Sequence, residues 1–328
     1  MLTTAPYRLY PLPNIKTEAQ FNPEMLVLAR EAAGLSQSAL SAKVDASQSK
    51  VSKIEDGSFV PSPEEIRVFA NALDRAPAFF YRAGRATASA VSFYRKTNSL
   101  SLTAFKQCNA RMNIKRLAEE DHMASRGNRA DLLPFFDITK EGGPAGCARK
   151  IRQLWGVQRG PIPNLTRLAE DAGCMVIHFD FGTKKIDGLS LRAEGETPFV
   201  FLNKEFPFGR MRLTLAHEIG HLVMHRTPHE NVEEEAWAFA SELLMPEAEI
   251  RAKFFPLTLE VLVALKIEWG VSMQALLKRG ENLRKISPRY ARYLWMQMSK
   301  LGYRTHEPYD EETPREEPRS ERRNGTPA

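Results

Sequence analysis

Four short stretches near the start of the chain carry apolar residues three or four positions apart, a spacing that places side chains on one face of an α-helix. These residues are Leu28 and Ala32; Leu40 and Val44; Val51 and Ile54; and Ile66, Phe69, Ala70 and Leu73. Between the stretches, Gly34 can end the first helix, and Ser36, Ser47 and Ser62 can cap the next three. The pattern predicts an all-α domain over residues 22–82, after an N-terminal arm over residues 1–21.

The pattern changes further along the chain. From about residue 146 a helical stretch is followed by short β-like segments, after which helices return. The β-like segments are residues 174–179, 188–191 and 199–202. This order predicts an α+β domain over residues 146–302 that ends in a helical C-terminal segment. The expected fold class is therefore multidomain, with an all-α N-terminal domain and an α+β domain.

Two segments lie outside these predicted domains. Residues 83–145 read as a linker and connecting helix, whose many Lys and Arg side chains we expect to face solvent, the alternative being a face that contacts phosphates. Residues 303–328 mix charge with Pro and Gly and contain almost no large apolar side chain, which predicts a disordered tail.

The composition is that of an ordinary globular protein, with 328 residues, 43% hydrophobic and 26% charged. Prolines at positions 6, 11 and 13 interrupt the region where a secretory signal would need an apolar run, and no apolar run approaches the roughly 20 residues that cross a bilayer. The three cysteines form no CxxC pair, which indicates reduced packing residues. We therefore expect a cytoplasmic protein without a membrane anchor, and the net charge of +6 permits a polyanionic partner.

The segments GLSQ, SQSKVSKIEDG and PSPEEI together resemble the helix-turn-helix domain of the XRE-type repressor family. The resemblance implies that the third helix enters the major groove of a double-stranded DNA operator, and that the protein binds as a homodimer. It implies DNA contacts by Gln37, Ser47, Gln48, Ser49, Lys50, Ser52 and Lys53. Gln48 and Lys50 are the favoured base readers, and Gln37 would meet a phosphate. A helical protein-interaction module that does not bind DNA is the alternative.

The sequence LTLAHEIGHLVM places His217 and His221 four residues apart on an apolar helix, so that both imidazoles lie on one side. Neutral imidazoles are good Zn²⁺ ligands, and Glu218 can act as general base on a metal-bound water. His225 continues the series, but on a straight helix it lies about 12 Å along the axis from His217 and cannot share its ion. The third ligand must come from another element.

The next predicted helix begins at Val232 and buries an apolar face that includes Ala236 and Ala240. Glu234 points away from that face, and Glu233 and Glu235 flank it. We choose Glu233 as the third ligand, because the small side chains on its side permit close approach to the first helix, and we place Glu235 second. An acidic first turn that only favours the helix dipole is the alternative.

The segments RMRLTLAHEIGH and EEEAWAFASELLMP, with WGVSM further on, resemble the ImmA/IrrE family of zinc metallopeptidases. The resemblance implies a zincin-like domain with zinc ligands His217, His221 and Glu233 and a catalytic Glu218. Trp237 departs from it, because the family usually carries Asn there. Neither the family nor the spacing assigns an oxyanion donor, and Arg210, Arg212 and His225 are only near in sequence.

Together the two resemblances imply a DNA-binding regulator whose zinc endopeptidase domain cleaves a repressor-type protein, or itself, after a signal such as stress. The alternative is a transcription factor whose zincin-like domain only binds metal, a ligand or a partner protein. A third hypothesis is an antitoxin that sequesters a toxin.

Overall fold

The computed structural model describes residues 20–83, 101–124, 133–192, 197–227, 229–313 and 315–322. These residues form two compact units. The first contains the described residues 20–83 and 101–124, and the second contains those from 133 to 322. The predicted N-terminal arm lies outside the described residues, except for its last two positions.

The first unit is all-helical, as the apolar spacing predicted. Its α-helices are α1 (Pro23–Ala32), α2 (Gln37–Lys43), α3 (Gln48–Glu55), α4 (Pro63–Ala72) and α5 (Leu102–Ala124), with a 3₁₀ helix at Pro77–Tyr81 between the last two. The predicted caps form: the side chains of Ser36, Ser47 and Ser62 accept hydrogen bonds from the backbone of the first turn that each precedes. These caps fix where α2, α3 and α4 begin.

Helix α5 belongs to the first unit rather than to a linker. It packs against α1, and Ala110 and Leu117 lie in the same apolar core as Leu26, Ile54 and Phe69. The expectation that its basic side chains all face solvent is wrong for Arg116, which is buried and paired with Glu120. The sequence pattern predicted this helix but could not show that α1 packs against it.

The second unit is α+β. Its elements are α6 (Pro144–Leu154), α7 (Leu165–Asp171), β1 (Met175–Phe179), β2 (Gly188–Leu191), β3 (Phe199–Asn203), α8 (Phe208–Met224), α9 (Val232–Leu244), α10 (Glu247–Ile250), α11 (Leu259–Trp269), α12 (Met273–Asn282), α13 (Pro288–Lys300) and α14 (Arg319–Arg322), with a 3₁₀ helix at Arg251–Phe254. The sheet order is β1-β3-β2, with β1 parallel and β2 antiparallel to β3. The backbone N–H of Phe136 bonds to Val223 in α8, so the unit begins before the predicted boundary at 146.

Helix α8 lies at the centre of this unit. It contacts β2 and β3 on one side and α9 on another, and α9 in turn packs on α6. Almost every side chain of α8 from Thr214 to Met224 is therefore buried, including its histidines. Within the part of the chain that the structure describes, no helix combines the length and the apolar composition of a membrane span.

The expected disordered tail is ordered over its described part. Glu307 accepts hydrogen bonds from the backbone N–H groups of Met273 and Gln274 at the start of α12 and pairs with buried Lys266. Glu316 accepts from Leu165 and Thr166 at the start of α7. Low apolar content suggested disorder, but buried carboxylates hold this segment by satisfying the unpaired N–H groups of two helix starts.

Candidate metal centre and DNA-binding face

Helices α8 and α9 bring His217, His221 and Glu233 together. The Nε2 atoms of the two histidines lie 3.0 Å apart, and the Glu233 carboxylate oxygens lie 3.4 Å from Nε2 of His217 and 3.5 Å from Nε2 of His221. Both histidines are buried, and Glu233 is half-buried. The three residues form a group whose ligand atoms could share one metal ion.

Close packing of the two helices makes this convergence possible. Gly220 faces α9, and a Cβ atom at this position would lie 3.0 Å from the ring of Phe239 and 3.4 Å from Cα of Ala236. Ala236 was anticipated as a small residue in this contact, whereas Gly220 was not. Its position between the two histidines of the HEIGH segment was the available signal.

The chemistry of this donor set fits zinc. Two imidazole nitrogens and one carboxylate are the protein ligands of one common class of catalytic zinc site. Burial acts to lower the pKa of His221, but Glu233 and Glu218 raise it above its ordinary value. Burial acts to raise the pKa of Glu233, but hydrogen bonds from His217 and His221 hold that pKa well below its usual range. Both directions follow from the close approach of the Glu233 carboxylate to the two imidazoles.

Glu218 follows His217 in α8, and a residue of the sheet holds its carboxylate. The hydroxyl of Ser190, on edge strand β2, donates a hydrogen bond to Oε2 of Glu218 across 2.7 Å, and both residues are buried. One carboxylate oxygen is thus fixed by the sheet. The sequence reasoning missed Ser190, because a serine in a predicted strand carries no signal of a role until the strand is placed against α8.

Trp237 covers the ring of His217. Its ring centroid lies 4.0 Å from that of His217, and the side chain is 42% exposed. The residue that departs from the family pattern therefore lies at the edge of the metal group.

A second group lies next to the first. Nδ1 of His225 is 2.9 Å from Nδ1 of His221, and Nε2 of His225 is 2.9 Å from Oε2 of Glu235. His229 reaches the same carboxylate at 3.4 Å. Burial and His221 lower the pKa of His225 to about 4, against the opposing effect of Glu235. Glu235, the second choice for a zinc ligand, is thus engaged by these two histidines.

The two arginines near the site in sequence have other partners. Arg210 makes a two-pronged ion pair with Asp187, at 2.8 and 2.9 Å. Arg212 is buried and pairs with Glu316 across 3.4 Å. Neither contact directs a guanidinium at the metal group.

Five of the predicted DNA-contact residues of the first unit lie on α3. Helix α3 exposes Gln48, Ser49 and Lys53, with Ser52 half-exposed, while Val51 and Ile54 point into the core. Ser47 caps α3. This leaves a polar face on α3 of the kind that a major groove accommodates.

A hydrogen-bonded network fixes one end of this face. Gln48 donates to Gln37 across 2.8 Å, and Gln37 donates to Glu55 across 2.9 Å. Arg30 pairs with Glu55 at 2.5 Å, which offsets the negative charge at the end of α3. Lys50, the other favoured base reader, instead forms an ion pair with Glu65 of α4, so contact with a base would require this pair to open.

The all-α unit has the arrangement of a helix-turn-helix domain, and the α+β unit, with HExxH on a buried helix, has that of a metallopeptidase-like domain. Family models agree: residues 26–78 match a helix-turn-helix domain, and residues 169–281 match a peptidase family described as the IrrE N-terminal-like domain. The chain therefore joins a helix-turn-helix domain to an IrrE-like peptidase-family domain. No curated protein and no solved structure matches the chain.

Proposed function

We propose that this protein is a DNA-binding transcriptional regulator whose second unit is a zinc-dependent endopeptidase that cleaves a repressor-type protein, or the chain itself, in response to a signal. The observation that carries the proposal is the convergence of His217, His221 and Glu233 beside Glu218. A domain that only bound metal would not need a general base beside its three ligand atoms.

His217, His221 and Glu233 would hold the zinc ion, which would polarise the scissile carbonyl and acidify a bound water. Glu218 keeps Oε2 in the hydrogen bond from Ser190 and uses Oε1 to take a proton from the attacking water. It then gives that proton to the nitrogen of the leaving amine as the C–N bond breaks. Its proton count is restored at the end of the cycle.

The first unit would bring the peptidase to DNA. The exposed face of α3 suits a double-stranded operator, and the two-fold symmetry common to such operators would be met by a homodimer. We infer that the protein works in the cytoplasm on a double-stranded operator, and that its substrate is a repressor-type protein or a segment of this chain.

The second candidate is a transcription factor whose metal group only binds zinc, a ligand or a partner. The burial of Glu218, at 7% exposed, and the position of Trp237 over His217 favour this candidate, because both restrict access to the group. The two candidates differ in one outcome, which is Glu218-dependent cleavage.

The test compares new protein N-termini in host cells that carry either wild type or Glu218→Gln, with and without DNA damage. The substitution leaves all three metal ligands in place, so equal zinc content serves as the control. A peptide bond cut only by wild type supports the peptidase and identifies its substrate. Identical N-termini, with the same promoters repressed by both proteins, would favour the second candidate.

A further inference from the structure

A chain of hydrogen bonds runs outward from one of the zinc ligands. Nδ1 of His221 meets Nδ1 of His225 at 2.9 Å, and Nε2 of His225 meets the Glu235 carboxylate at 2.9 Å. We propose that His225 and Glu235 are positioning residues that hold His221 in the orientation and tautomer required to bind zinc. This inference rests on the zinc site of the proposed function.

The direction of each hydrogen bond follows from the proton count of neutral imidazole, which has one N–H donor and one acceptor nitrogen. If His221 binds zinc through Nε2, its proton is on Nδ1, and it donates to Nδ1 of His225. The proton of His225 is then on Nε2, which donates to Glu235. In this arrangement Nε2 of His221 binds zinc, Nδ1 of His221 donates to Nδ1 of His225, and Nε2 of His225 donates to the Glu235 carboxylate, which is the last acceptor.

The end of α8 brings His225 to this position. The helix ends at Met224, and His225 has φ −116° and ψ 110°, outside the helical region, although its backbone N–H still bonds to the carbonyl of His221. Its side chain is fully buried. A buried imidazole without partners would be costly, and these two contacts satisfy both of its nitrogens.

The two zinc-binding histidines differ in this respect. Nδ1 of His217 is buried and has no hydrogen-bond partner among the described residues, and its ring is covered by Trp237. Loss of His225 therefore acts on His221 alone. Outer partners of metal-bound histidines fix the ring and raise its basicity, and their removal commonly costs 10–100-fold in metal affinity.

A second metal ion held by His225, His229 and Glu235 is the competing interpretation, since their ligand atoms also lie close together. Such an ion would take Nε2 of His225, which would move the proton of His225 to Nδ1. His221 would then have to accept at Nδ1 and carry its own proton on Nε2, where zinc binds. Both ions together require the pair to lose a further proton, so the observed contact favours the chain of hydrogen bonds.

The experiment measures zinc affinity of the full-length protein by competition with a chromophoric chelator. We expect His225→Leu to weaken zinc binding by about 10–100-fold. His225→Asn should bind zinc more tightly than His225→Leu, because its amide oxygen can take the place of Nδ1 as acceptor, although the contact of Nε2 with Glu235 is lost. His229→Leu removes an exposed partner of Glu235 but leaves the contacts between His221, His225 and Glu235, and should therefore change zinc affinity much less than His225→Leu. Wild type should bind one zinc ion per chain.

A spectroscopic measurement separates positioning from general loss of structure. With Co²⁺ in place of zinc, the visible absorption bands should shift further in His225→Leu than in His225→Asn, while far-ultraviolet circular dichroism of the metal-free variants stays unchanged. If His225→Leu does not fold, Glu235→Leu, at a partly exposed position, replaces it and should also weaken zinc binding.

Unchanged zinc affinity in a folded His225→Leu or Glu235→Leu variant would overturn the proposal while leaving the zinc site intact. Two zinc ions per wild-type chain, with one lost in both His225 variants and in His229→Leu, would replace it with the second metal site. A wild-type protein that binds no zinc would overturn the zinc site itself, and with it the proposed peptidase.

Discussion

The hydrogen bond between Ser190 and Glu218 shows how one residue outside the HExxH segment can set the geometry of the candidate base. A carboxylate that is fixed at one oxygen presents the other in a single direction. Hydrogen bonds to charged groups contribute about 1.5–3 kcal/mol. The contact is therefore large enough to matter for a step that depends on orientation.

We predict that Ser190→Ala lowers kcat roughly tenfold, because loss of about 1.5 kcal/mol of orienting energy corresponds to that factor. Zinc affinity should stay at the wild-type value, since Ser190 contacts Glu218 and none of the metal ligands. The measurement is steady-state cleavage of the substrate identified from the Glu218→Gln comparison. Ser190→Thr, which keeps the hydroxyl, is the control, and equal kcat in Ser190→Ala and wild type would contradict the assignment.

At the level of helices and strands, the sequence predicted much of the fold. Apolar spacing and Ser caps located α2, α3 and α4, and the β-like segments match β1, β2 and β3 within a residue at each end. Glu233, rather than Glu235, faces the two histidines, as the small residues of α9 suggested. These features are local, or follow from one face of one helix.

The features that the sequence did not predict depend on contacts between distant segments. Ser190 meets Glu218 only because β2 lies against α8. The pairing of Lys50 with Glu65 depends on where α4 lies relative to α3. His225 was excluded as a ligand by assuming a straight helix, and the chain in fact leaves the helix at this residue. The spacing of apolar residues along the chain does not indicate which distant segments come into contact.

The contact between α8 and α9 predicts a specific effect of one methyl group. We expect Gly220→Ala to be less stable than Gly280→Ala by about 1–3 kcal/mol, the usual cost of overpacking a core. Both positions are helical, so the helix preference for Ala is the same, and a Cβ at Gly280 meets only ordinary contacts from 3.4 Å. Gly220→Ala should also weaken zinc binding.

Urea unfolding and chelator competition on the two variants check this expectation. All four tryptophans lie in the second unit, so their fluorescence reports on its unfolding alone. Equal midpoints and equal zinc affinity in both variants would show that α8 and α9 do not need their close approach.

Helix α3 predicts a sequence-specific effect of one side chain. Gln48→Ala should reduce discrimination between an operator selected by the wild-type protein and its single-base variants by about 1–3 kcal/mol at one position. Affinity for unrelated DNA should change little, because no charge is lost. Binding is measured by fluorescence anisotropy at fixed salt, with Asn71→Ala, on the exposed surface of α4, as the control. Uniform weakening on all sequences would indicate that Gln48 does not read a base.

On the scale of the whole chain, composition misjudged the C-terminal segment because composition measures apolar content and not the number of partners. Glu307 and Glu316 each satisfy two backbone N–H groups at a helix start and each pair with a buried cation, Lys266 or Arg212. Burial acts to lower the pKa of Arg212, and Glu316 opposes this effect. Both carboxylates therefore cap the starts of helices that come earlier in the sequence.

We predict that Glu316→Ala lowers the free energy of unfolding of the second unit by about 3–5 kcal/mol, because it leaves the buried charge of Arg212 without its partner. Glu317→Ala, one residue along and exposed, should change it by less than about 0.5 kcal/mol. Tryptophan fluorescence in urea measures both. Replacing Arg212 and Glu316 together by Leu should recover only part of the loss, since the backbone N–H groups of Leu165 and Thr166 would still lack their acceptor. If Glu316→Ala and Glu317→Ala unfold at the same urea concentration, the contacts of Glu316 with α7 and Arg212 contribute nothing to the stability of this unit.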